Sequence, residues 1–252
     1  MSVFYAYAIT GNELDNRHLI TFASRSVADE WWRAIQDSVT ERDRTTFAEI
    51  KRVTPQLYAS KNSWGTILNI VTDTRWTPHL VGKWFFTLLH DFGGGGLCDS
   101  LAPPIDITDH ISGNCYYIRS KCEPNQYWHL TNQSLPEGAI FGPHQVIRLS
   151  ATGHTRFCID IRAANRLPQN GKIMIGSDDI IISALRIEDN DVVINDVCPI
   201  GDNGTLVIGV ASYVFKFSDF ENRFIMSSAI NGSQDNHILK LRKIGQKWEL
   251  VD

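Results

Sequence analysis

The stretch DFGGGGLCDSLAPPIDITD, residues 91–109, decides how the chain is read. Four consecutive glycines, Gly93 to Gly96, and the pair Pro103-Pro104 interrupt both helical and strand periodicity. A glycine run of this kind behaves as a hinge. As a phosphate cradle it lacks the Lys-Ser/Thr that should follow, and it leads into prolines instead of a helix. The break sets a domain boundary near residue 107, so residues 1–107 and 108–252 are read separately.

Upstream of the break, VFYAYAIT and RHLITFAS are runs of β-branched and aromatic residues joined by the turn-forming GNELDN, the pattern of an antiparallel hairpin. SRSVADEWWRAIQDSVTE then repeats Ala28, Trp31, Ile35 and Val39 at helical spacing, with Ser26 as the expected N-cap and Asp29 three residues on. FAEIKRVTPQLYAS returns to strand character, SWGTILNIVTDTRW fits either period, and GKWFFTLL reads as a closing strand. The expectation for 1–107 is a small α+β domain, with one or two helices on an antiparallel sheet.

Downstream, helical periodicity nearly vanishes. CYYIRSKC, YWHLTN, VIRLSA, RFCIDIRA, KIMIGS, IIISALRI, DVVIND, TLVIGV, YVFKFS, RFIMSS, HILKLRK and KWELV form twelve candidate strands at short, fairly regular intervals. That spacing argues for a barrel or sandwich. Three aromatic strands, led by Phe157, Tyr213 and Trp248, lie 56 and 35 residues apart, close to the repeat size of a β-trefoil. On these segments, on the opening GNCYYIRSKCEPNQYWHL and on the closing GQKWELV with Gln246 and Trp248 as a Q-x-W motif, residues 108–252 resemble the ricin-B-like β-trefoils. That family has many fungal lectins and lectin-like proteins. The resemblance implies an all-β β-trefoil after the α+β domain, a glycan or glycoprotein as partner, and a core position for Trp248. Only the last segment keeps the motif, since Thr155 and Ala211 stand where glutamine would precede Phe157 and Tyr213.

Composition narrows the function classes. The chain has 252 residues, 43% of them hydrophobic, enough for a substantial core. Its formal charge of -4 and pI near 6.1 argue against general nucleic-acid binding, which needs a basic field. The N-terminus lacks the pattern of a secretory signal and no apolar run is long enough to span a bilayer, so a cytoplasmic location is expected. The five cysteines have no C-x-x-C pairing and read as reduced thiols. Three N-x-[ST] triplets read as polar turns. The eight histidines never pair at i, i+2 or i, i+4, and no catalytic or cofactor motif appears, so neither a metal nor a cofactor is expected.

Candidate site residues follow from strand alternation. In Tyr127-Trp128-His129, Trp128 faces one side of its strand and its neighbours the other. With Trp128 outward, it supplies an apolar platform for a sugar ring beside Asn132. With Trp128 inward, as large aromatics prefer, Tyr127 and His129 are the exposed pair. The loop from Asn231 to Asn236, including Gln234, carries the hydrogen-bonding side chains a sugar site requires. Together these features predict a non-enzymatic, lectin-like binding protein whose first domain serves oligomerisation or a partner. Two alternatives stand beside it: a trefoil protease inhibitor, and a two-domain toxin in which Glu30 and Arg33 form the E-x-x-R pair of an RNA N-glycosidase.

Overall fold

The computed structural model describes residues 3–10, 17–42, 50–61, 77–89, 107–134, 145–162, 169–188, 191–209, 212–228 and 237–252. The chain divides into two units, Met1–Asp109 and His110–Asp252. The stretch 63–76, expected as helix or strand, and most of the glycine and proline break lie outside the described residues.

The first unit begins with the expected hairpin. β1 (Phe4–Thr10) and β2 (Arg17–Phe22) pair antiparallel, with Ala6 opposite Ile20 and Tyr7 opposite Leu19. α1 (Arg25–Arg42) follows at once. Its cap is Ser24, two residues before the expected Ser26, because the Ser24 hydroxyl accepts the Val27 N–H at 3.3 Å. β3 (Ile50–Thr54), β4 (Leu57–Ser60) and β5 (Trp84–Leu89) complete a sheet of order β3-β4-β1-β2-β5, in which β4 runs parallel to β1. Alternation buries Phe4, Ala6 and Ala8 on one face of β1. The helix buries Trp31 completely, its ring within 5.3–5.9 Å of the rings of Tyr58, Phe22 and Trp84.

This core also holds charge. The Arg52 side chain is 2% exposed and donates through Nη2 to Asp29 and to Asp109, each at 2.7 Å. Arg25 donates to the Thr108 carbonyl at 2.6 Å and to Asp29 at 3.3 Å. Burial pushes the Asp109 carboxyl above its ordinary value, with Arg52 opposing. The pairing of β3 with β4 shifts register between Arg52 and Thr54, a bulge that re-aims the side chains around it.

The second unit contains β6 (Cys115–Ser120), β7 (Tyr127–Ser134), β8 (Gln145–Ser150), β9 (Phe157–Ile161), β10 (Asp179–Glu188) and β11 (Asp191–Ile200). β12 (Thr205–Ile208), β13 (Phe215–Lys216), the short α2 (Asp219–Asn222), β14 (Phe224–Ser228), β15 (His237–Leu241) and β16 (Trp248–Val251) follow. They form one eleven-stranded sheet in which β8, β12 and β15 pair mutually and β16 returns to β6. KIMIGS contributes only an isolated bridge, Ile111 to Ile173. The core is aromatic: Trp128 meets Phe224, Phe157 and Trp248 edge-on, at 4.9, 5.6 and 5.8 Å between ring centroids. Trp248 donates its indole N–H to the Phe224 carbonyl at 3.0 Å. Gly204, at φ +59°, has the Leu241 carbonyl oxygen 2.5 Å from where a Cβ would stand, so no larger residue fits there.

Two expectations are corrected. Strands take 53% of the described residues and helices 12%, in two sheets that span the chain. The protein is therefore mostly β; an α+β N-terminal domain is not evident, and a β-trefoil is not shown. The helix signal of residues 24–41 is real, but among the described residues of its unit one long helix stands beside five strands. The aromatics that suggested repeats sit in unlike places, since Phe157 and Trp248 are buried in strands while Tyr213 is half-buried ahead of β13. The cysteines are not all reduced either, because Cys115 and Cys158 form a disulfide. They lie 43 residues apart, and the register of β6 against β9 brings them face to face, which no spacing motif announces.

Candidate functional site

Alternation along β6 and β7 builds a two-sided layer. Tyr116, Ile118, Trp128 and Leu130 point into the core, which leaves Tyr117, Arg119, Tyr127 and His129 half-buried on the outer face. Register sets their neighbours: Arg119 lies opposite Tyr127 on β7 and Glu249 on β16, and His129 lies opposite Arg148 on β8.

The connection from β8 to β9 folds over this face. Ser150 Oγ accepts the N–H groups of Thr152 and Gly153, at 3.2 and 2.8 Å, which turns the chain back on itself. Gly153 then passes so close that a Cβ there would stand 2.8 Å from the His129 ring. Beyond it, the His154 ring lies against Tyr127, tilted by 40° with centroids 4.1 Å apart, and sits edge-on to Tyr117 at 5.8 Å. Arg156 holds its guanidinium 5.0 Å from the centre of the Tyr117 ring. Tyr127, His154, Tyr117 and Arg156 thus form one continuous array.

Hydrogen bonds fix its edges. Two guanidinium nitrogens of Arg119, Nε and Nη2, reach the same Glu249 oxygen at 2.8 and 2.6 Å. That bond is the main reason Arg119 stays above its ordinary pKa; partial burial opposes it and the Tyr127 hydroxyl supports it. Thr155 Oγ1 accepts the Leu130 N–H at 2.9 Å and lies 3.3 Å from His129 Nδ1. With its oxygen so engaged, the hydroxyl hydrogen is available to Nδ1, an arrangement suited to neutral imidazole. Burial, and then the nearby His154, lower the His129 pKa in the same sense.

The candidates from the sequence fare unequally. Tyr127 and His129 belong to the outer-face array. Trp128 does not: it is fully buried, so its reading as a sugar platform is corrected, and the branch with Trp128 inward is the one adopted. Asn132 lies within β7, with its side chain outside the described residues, and Asn231, Gln234 and Asn236 lie outside them altogether. Glu30 and Arg33, both on α1, take separate partners, His79 outside the helix at 3.6 Å and Asp37 within it at 3.3 Å. Sequence reasoning missed Tyr117, Arg119, His154, Arg156 and Glu249. Alternation in CYYIRS and WELV marks Tyr117, Arg119 and Glu249 as one-sided, whereas His154 and Arg156 join them only through the folded connection.

The array combines aromatic ring surface with cationic donors and a carboxylate acceptor, the chemistry that holds a polyhydroxylated ring by C–H contact and hydrogen bonding. Comparison with protein-family models finds no match to the chain, and comparison with curated proteins finds none either. Among the described residues, no helix is long and apolar enough to cross a membrane.

Proposed function

We propose that the second unit is a carbohydrate-binding module, lectin-like and non-enzymatic, whose ligand rests on the outer face of β6 and β7. The observation that carries this reading is the array of Tyr117, Tyr127 and His154 with Arg156 over its end and the Arg119–Glu249 pair at its edge. Two tyrosine rings and an imidazole provide apolar surface for the C–H face of a sugar. Arg119, Glu249 and Arg156 supply donors and an acceptor for its hydroxyl groups. The rigid aromatic rings lose little conformational freedom on binding, and the partners of Arg119 and His129 already hold them in place. The pure protein tests the reading on a panel of diverse immobilised glycans. Saturable binding to a subset supports it, and silence across the panel rejects it.

A further inference from the structure

Resting on that reading, we infer that the saccharide bound at the outer face is anionic and that its carboxylate or sulfate group meets Arg156. Charge bookkeeping around the array leads there. The carboxylate in contact with the array is Glu249, and Arg119 already holds it through two nitrogens. Arg148, the register partner of His129, has an interaction of its own. Arg156 differs from both: it is exposed, its contact is the face of Tyr117, and it has no carboxylate partner among the described residues.

Stacking on a ring uses the flat face of a guanidinium and leaves its N–H edge pointing outward, where a planar carboxylate or a sulfate can take two bonds. His154, also exposed, stands in the same array and offers a ring N–H donor beside Arg156. The acid that shares the strand face of Arg156 is Asp160, farther along β9 beyond Cys158. It stands four residues beyond Arg156 along the chain, and burial and then Asp196 push its carboxyl up. In a chain of net charge -4, an aromatic array ending in an arginine with no carboxylate partner among the described residues is selective for a ligand that brings that charge.

The test titrates the full chain with three oligosaccharides of equal length: oligogalacturonate, its carboxyl-reduced galactose counterpart, and a sulfated galactan. Both charged forms should bind at least about tenfold more tightly than the neutral one, as a charge-assisted hydrogen-bond pair provides. Arg156→Gln should remove that preference, so that all three bind alike, while leaving the thermal midpoint unchanged. Lys51→Gln, an exposed charge in the first unit, should alter none of the three. A preference for carboxylate alone or sulfate alone, lost in Arg156→Gln, identifies the source of the charge and supports the inference. Equal binding of all three, or a preference that survives Arg156→Gln or falls equally in Lys51→Gln, overturns the inference and leaves carbohydrate binding standing. No binding of any of the three overturns both.

Discussion

The two units solve the same problem, burying tryptophan inside a sheet-based core, with opposite chemistry. In the first, Trp31 and Tyr58 lie beside a buried arginine tied to two carboxylates. In the second, Trp128 and Trp248 meet each other and phenylalanines, and the buried carboxylate Asp219 sits on α2, paired with Arg223 at 3.2 Å. A core held by paired charges fails when one charge is left alone, whereas an aromatic core fails when volume is lost. The second unit can therefore keep its cations for the outside, where Arg119 and Arg156 flank a row of rings.

The sharpest way to break this contrast is Trp128→Ala. A fully buried indole with three edge-on aromatic neighbours should cost about 3–5 kcal/mol on removal, read from chemical or thermal unfolding of the second unit. A loss below about 1 kcal/mol would place Trp128 with the surface residues. Trp128→Phe refines the point, because Trp128 Nε1 has no hydrogen-bond partner among the described residues whereas Trp248 Nε1 is bonded to the Phe224 carbonyl. Trp128→Phe deletes an unsatisfied buried donor and Trp248→Phe breaks a bond, so unfolding should show the first as the milder change.

In the first unit, Arg52→Gln should destabilise by about 3 kcal/mol, the low end for a broken buried pair. Arg25 softens the loss, since it keeps its own contacts to Asp29 at 3.3 Å and Asp109 at 3.7 Å. Unfolding curves followed by tryptophan fluorescence check this, and no change would mean that the charge network contributes nothing.

The smallest effect on stability belongs to His129. Its folded-state pKa is depressed by burial and by His154, so the unfolded chain takes up the proton more readily. The stability linked to this group is present above its ordinary pKa, about 6.5, and is lost as pH falls from there through the lower folded-state value. Thermal midpoints between pH 8 and pH 5 should fall more in the wild type than in His129→Gln. Equal slopes would show that His129 titrates alike in both states.

How far these features were legible depends on whether one strand or several had to be read. Alternation in YWHL separated Trp128 from Tyr127 and His129 within a single strand, but the sequence left open which side was the core. The first hairpin and the helix were readable because residues near in sequence decide them. The cap moved to Ser24 because Ser26 is an equally good residue by type, and only the hydroxyl bond to the Val27 N–H distinguishes them. The Cys115–Cys158 bond and the pairing of Arg119 with Glu249 arise from register between distant strands, and the contact of His154 with Tyr127 arises from the folded connection between β8 and β9. KIMIGS has strand composition yet forms one bridge, so composition alone overcounted strands there.

The central claim is that the outer face of β6 and β7 binds sugar while its inner face holds the fold together. Tyr127→Ala, measured for both glycan affinity and thermal midpoint, tests it most directly. The expected result is a loss of affinity of about tenfold or more with stability within about 1 kcal/mol of wild type. Affinity equal to wild type, or a stability loss as large as that of Trp128→Ala, would contradict the claim.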